Sequence, residues 1–120
     1  MARPKNPKYD GYAMEKFSVA VSTLATGTGT VQQRLGEAYV YSLIRLKGGG
    51  ESGADRLPPD RREKFRAFEA AMSIKDDPVR GRAMASAELM SDEDARSFAE
   101  YIVSTAFEIH RGWWMENGGD

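Results

Sequence analysis

The stretch Leu24-Ala25-Thr26-Gly27-Thr28-Gly29-Thr30-Val31-Gln32-Gln33-Arg34-Leu35 constrains the fold more than any other, because one apolar stripe stops there and a second starts after a few small residues. Upstream, Ala13, Phe17, Ala20, Val21 and Leu24 recur at helical spacing behind Asp10, a residue type that caps helix starts. Gly27 is placed to take the left-handed conformation that closes a helix. Thr30 is placed to cap the next one, with Gln33 as its reciprocal partner in a capping box. The stretch reads as a helix–turn–helix corner.

A second helix is expected from Val31 to about Leu46, with Val31, Leu35, Ala38, Tyr39, Leu43 and Leu46 on one side and Val40, Tyr41 and Ile44 on others. Its second half is apolar nearly all round, which suits a central helix touched on several sides. A strand is the competing reading of Tyr39-Val40-Tyr41, but the segment is long for a strand and no partner strand is evident. Residues 47–56 are glycine-rich and read as a flexible connecting loop. Leu57-Pro58-Pro59 then opens a third helix to about Ile74, burying Phe65, Phe68 and Met72 with Ala71 beside them.

Asp77 with Pro78 reads as the start of a fourth, weaker helix whose stripe is Val79, Ala83, Met84, Ala87 and Met90. Ser91 with Asp94 resembles a capping box and opens the longest helix, with the stripe Ala95, Phe98, Ala99, Ile102, Val103, Ala106, His110 and Trp113. Asp92, Arg96 and Glu100 form a charge ladder outside it. The expected architecture is all-α, a single compact bundle of about five helices over residues 10–115. A flexible arm, residues 1–9 with Pro4 and Pro7, precedes it, and a disordered tail, residues 116–120, follows.

A chain of 120 residues can stand on one hydrophobic core. The absence of cysteine removes disulfide scaffolds, thiol catalysis and cysteine-ligated zinc, and suits a reducing, cytoplasmic setting. The basic N-terminus has no apolar run behind it and no stretch approaches the length of a membrane span, so a soluble, unexported protein with no membrane partner is expected. The net charge of −1 provides no whole-molecule field for a polyanion.

Chemistry has few places to reside. The amides and hydroxyls of Thr28, Gly29 and Thr30 precede a helix start and could hold a phosphate, but a Walker lysine, a third glycine and a preceding strand are all missing. Helix termination plus capping accounts for each residue. His110 is the only histidine, which excludes a multi-histidine metal site, and on an apolar stripe it reads as a core or interface residue. The carboxylates of Asp92-Glu93-Asp94 and Asp76-Asp77 read as helix-start electrostatics without the spacing of a calcium loop. No metal and no cofactor is expected.

Arg61, Arg62, Lys64 and Arg66 are the densest basic group and with Arg80 and Arg82 could make a phosphate-facing patch; Glu63 and Glu69 dilute it, and a solvated helix face is the default. Trp113 and Trp114 are about 100° apart on a helix, so both cannot face one core. One is expected at the surface. Near Tyr9 or Tyr12 it would anchor a protein partner, or pack against the N-terminal arm.

Glu15-Lys16-Phe17, then Leu24-Ala25-Thr26-Gly27 with Gly29 and Arg34-Leu35, followed by a proline-initiated helix and a terminal helix around Ala99-Glu100-Tyr101-Ile102, resemble a family of small bacterial and prophage-associated helical proteins with an LATGxGxVxxRL turn and no assigned function. The resemblance covers most of residues 13–110. This chain departs from it by the glycine-rich insertion near residues 48–53 and by the Trp-Trp tail. It implies a helical domain and a mobile-element setting, and supplies no catalytic residues.

The expected function is that of a non-enzymatic interaction protein, a phage or prophage factor that binds and modulates a host protein complex, with Tyr12, Trp113, Trp114 and one charged helix face as its contact surface. The alternative is a small nucleotide- or nucleic-acid-binding protein using Thr28, Gly29 and Thr30 with Arg61, Arg62 and Arg66. Self-association through an exposed apolar helix face is open to either.

Overall fold

Asp10 starts the first helix, α1 (Gly11–Thr26), by accepting the backbone N–H groups of Tyr12 at 2.8 Å and Ala13 at 3.1 Å on one carboxylate oxygen. It is followed by α2 (Val31–Tyr41), α3 (Pro59–Ala71), α4 (Arg82–Glu88) and α5 (Asp92–Glu116), with short 3₁₀ turns at Leu43–Lys47 and Gly53–Arg56. The computed structural model describes residues 8–47 and 52–118; most of the expected arm, the middle of the glycine-rich loop and the end of the tail lie outside them. Among the described residues there are five α-helices and no strand, the all-α bundle that the periodicity predicts.

At the corner, the Thr30 hydroxyl accepts the Gln33 N–H at 3.1 Å and the Gln33 side-chain oxygen accepts the Thr30 N–H at 2.9 Å, closing the capping box. The left-handed residue is one step of two further on than expected. Gly27 is extended, with φ −67° and ψ 160°, and its N–H still bonds to the Thr23 carbonyl; Gly29 carries the positive φ of 91°. Arg34 explains the difference, because its guanidinium donates to the Leu24 carbonyl at 2.8 Å and so satisfies the end of α1 without a left-handed cap.

α2 stops at Tyr41, five residues short of the expected Leu46. Ser42 breaks it at φ −140° and ψ −66°, and its fully buried hydroxyl donates to the Lys16 carbonyl of α1 at 2.7 Å. The tighter turn that follows still buries Leu43 and Leu46, while Val40 and Tyr41 at the end of α2 and Ile44 in the turn lie at the surface. α2 touches α1, α4 and α5, and so has the central place expected of it. The far end of the glycine-rich loop is more than a connector: Gly53 and Ala54 are buried, and Gly53 lies against Leu46 and Phe65.

α3 opens on Pro59 and buries Phe65 and Phe68. Phe68 is the aromatic junction of the core, with ring centroids 5.6 Å from Tyr39 of α2, 6.2 Å from Phe65 and 5.2 Å from Phe98 of α5. α4 is shorter than expected. The Asp77 carboxylate accepts the N–H groups of Val79 and Arg80, which curls residues 78–80 into a turn and holds that carboxyl below its ordinary pKa. Gly81 at φ 87° then redirects the chain, so Val79 is 90% exposed instead of lying on a buried stripe.

α5 begins at Ser91, whose hydroxyl accepts the Asp94 N–H at 3.0 Å, and runs antiparallel to α1, with Gly11 against Trp113 and Leu24 beside Ala99 and Val103. Its fully buried line is Ala95, Tyr101, Ile102, Thr105, Ile109 and Gly112, rotated from the expected stripe so that His110 is exposed. The rotation follows from Tyr101, which buries its ring by donating its hydroxyl to the Arg61 carbonyl.

Gly29→Ala is expected to lower unfolding free energy by at least about 1–2 kcal/mol in urea denaturation, from the cost of a side chain at positive φ and from a Cβ that meets the Gln33 side-chain oxygen of the capping box. Thr30→Ala should lose about 1 kcal/mol through the cap. A neutral Gly29→Ala would show that the corner does not require a left-handed residue.

Candidate functional site

The ends of α1 and α5 meet at one pole of the bundle, and the aromatic residues singled out in the sequence collect there. The Glu116 carboxylate accepts the backbone N–H groups of Lys8 at 2.8 Å and Tyr9 at 3.0 Å, so this part of the expected arm is fastened to the end of α5. The Tyr9 ring occupies the place that a Cβ on Gly112 would need. A glycine at that helix position is thus a seat for an aromatic ring.

Trp113 is half-buried, its indole lying where a Cβ on Gly11 would approach it to 3.1 Å. Trp114 is 48% exposed and stands edge-on to Trp113, with ring centroids 5.1 Å apart. Two neighbouring tryptophans thus divide between packing and surface, as the 100° step requires. His110 stacks obliquely on Trp114 at 6.4 Å. Tyr12, 38% exposed, has Arg56 and Lys16 cations about its ring at 4.9 and 5.1 Å. Arg56 also pairs with the second oxygen of the Asp10 carboxylate at 3.1 Å, so the residue that caps α1 also holds the cation that covers Tyr12.

Between these groups lies a pocket of about 300 Å³, lined among others by Tyr9, Asp10, Arg56, Arg62, Trp113 and Asn117. Its charges oppose one another, and Arg62 is turned by a 2.8 Å bond from its Nε to the Leu57 carbonyl. The pole is aromatic and electrostatically mixed, with Asp10 among Arg56, Arg62 and Lys8.

The residues of the alternative site are spread over the molecule. Thr30 is used in the capping box, Gly29 supplies the reversal and Thr28 is exposed. On α3, Arg61 bonds Glu108 at 2.9 Å and the Ser104 hydroxyl at 3.0 Å, bridging to α5, and Arg66 lies 3.6 Å from Asp55. Arg80 and Arg82 pair with Glu88 and Asp76, each at 2.6 Å. No hydrogen bond or ion pair links the Gly27–Thr30 turn to the α3 arginines among the described residues. No group of His, Cys, Asp or Glu that could hold a metal ion occurs among those residues, and none of their helices is long and apolar enough to cross a membrane.

Phe107 and Met115 were not among the expected surface residues, yet they are 74% and 68% exposed on α5. The signal was present as phase: both fall outside the Ile102–Thr105–Ile109–Gly112 line once that line is drawn through Ile109. Comparison of the chain with protein-family models, with curated proteins and with solved structures finds no match.

Burial pushes the Tyr101 phenol well above its ordinary value, and burial followed by the Glu69 charge raises Tyr39. The folded phenols stay protonated where an unfolded tyrosine, at about 10, has begun to ionise, so stability is whole below that pH and falls as pH rises above it. Tyr101→Phe should cost about 1 kcal/mol at neutral pH through the lost bond to Arg61 and make the alkaline decline shallower, as read by melting temperature against pH. An unchanged slope would show that Tyr101 is not protected.

Proposed function

We propose that this chain is a non-enzymatic interaction protein that binds a protein complex of a bacterial host through its aromatic pole, in the prophage setting that the LATGxGxVxxRL turn implies. The observation that carries this reading is Trp114, a large aromatic residue left half in solvent at the end of α5 beside exposed Met115 and His110 and in edge contact with Trp113. Tryptophans of this kind dominate binding energy when a partner desolvates them. Tyr12, held by its two cations at the same pole, adds a rigid ring with an exposed edge.

The competing reading, nucleotide or nucleic-acid binding, draws on the Gly27–Thr30 turn and the α3 arginines, of which Thr30, Arg61 and Arg62 are already hydrogen-bonded within the fold. Thermal-shift measurements with nucleotides and short oligonucleotides are expected to show no stabilisation; a shift abolished by Thr28→Ala with Thr30→Ala would favour that reading instead.

In pull-down from a bacterial lysate, the wild-type chain should retain a partner that Trp114→Ala loses, with a cost of at least about 2 kcal/mol in affinity. Trp113→Ala should lose it as well and also lower the melting temperature, since that ring packs on Gly11. Retention of nothing by the wild type, or of the same partner by both variants, would overturn the proposal.

A further inference from the structure

α5 has a second face, turned away from the core. Arg96, Glu100, Val103, Phe107, Arg111 and Trp114 follow one another at steps of four, three, four, four and three residues, which keeps them within about 80° of each other around the helix. Arg96, Glu100, Phe107, Arg111 and Trp114 are exposed, and Arg96, Glu100 and Arg111 form no ion pair among the described residues. The strip is bounded on one side by the Arg61–Glu108 bridge to α3. On the other side lies an apolar groove of about 390 Å³ lined by Leu24, Val31, Ala99 and Val103, with Phe107 at its edge and Arg34 and Glu100 on its rim.

Read backwards, the strip meets its own chemistry. When two copies of α5 are set antiparallel about a point near residue 105, Val103 faces Phe107, Glu100 faces Arg111, and Arg96 faces Trp114. Each pairing occurs twice about the twofold axis. An apolar ring meets an apolar groove, a carboxylate meets a guanidinium, and a guanidinium meets an indole face. A parallel arrangement would instead put Glu100 on Glu100 and Arg111 on Arg111, which opposes association.

We propose that the outer face of α5 is a self-complementary seam that takes a second copy of this chain, antiparallel, with Phe107 of each copy seated in the other's Leu24–Val31–Val103 groove. This goes beyond the partner-binding reading, and its test residues are separate from it: Phe107, Glu100 and Arg111 are not part of the Tyr12–Trp113 pole, and variants there leave that pole intact. Trp114, which carries the partner-binding reading, also faces Arg96 at the ends of this seam.

Sedimentation equilibrium on the full chain tests it. The wild type should reach twice its 13.3 kDa mass at tens of micromolar, a concentration range of about the strength expected for a modest interface. Phe107→Asp should weaken self-association by about a hundredfold while leaving the melting temperature of the dilute chain nearly unchanged, because that ring is 74% exposed. Glu100→Arg and Arg111→Glu should each self-associate about tenfold more weakly than wild type, since each homodimer then sets like charges together. Mixed with one another, those two variants restore both opposite-charge pairs and should form a heterodimer of wild-type strength. A single-chain mass at all concentrations up to the millimolar range, a dimer unaffected by Phe107→Asp, or charge variants that associate no better together than alone would each overturn the proposal.

Discussion

The antiparallel contact of α1 with α5 is the constraint on which the remaining elements depend. It is fixed at one end by Glu116 holding the backbone of Lys8 and Tyr9 and by Gly11 against Trp113, and at the other by Leu24 against Ala99 and Val103. α5 has 25 residues and α1 has 16, so the start of α5 extends past the end of α1. That overhang is where α2 begins, with Gln32 donating to the Met90 carbonyl and the Asp92 carboxylate. The corner at Gly29 and Thr30 is therefore placed by the length difference of two helices that pack along each other.

Local chemistry was legible where a single residue type has one efficient use. Asp10, Thr30 with Gln33, Pro59 and Ser91 all start helices as expected, because each meets an unsatisfied N–H group or lacks one. Helix ends were less legible, since the partner that satisfies the last carbonyls comes from elsewhere in the chain: Arg34 closes α1 from ten residues away, and Ser42 ends α2 through a carbonyl on α1. Arg34 and Ser42 stand close by in sequence, but which carbonyl each one reaches is set by the packing of α1. The phase of α5 was missed for a related reason, because Tyr101 and Thr105 are buried by tertiary contacts while Phe107, a better hydrophobe, is left outside.

The candidate site was legible in outline. The adjacent tryptophans had to separate, and they do; which of them packs depends on Gly11, whose lack of a side chain admits the Trp113 indole. The basic group on α3 could not be interpreted from composition, because its behaviour depends on acids remote in sequence. Arg61 finds Glu108 and becomes a strut between helices. One member of a charged surface cluster thus becomes part of the scaffold, while Lys64 and Arg66 stay exposed.

Arg56 closes an excursion as well as covering Tyr12. Its Nε donates to the Leu46 carbonyl at 3.1 Å, and Leu46 is buried just before the glycine-rich loop as Gly53 and Ala54 are buried at its far end. The chain is held just before residues 48–51 by the Arg56 guanidinium on Leu46 and just after them by the Glu69 carboxylate, which accepts the Ser52 hydroxyl and the Gly53 N–H. Under such clamping, doubling the length between the fixed points costs only about 0.6 kcal/mol of closure entropy. Length added between these two anchors removes neither of them, because Arg56, Glu69 and the groups they hold all lie outside it.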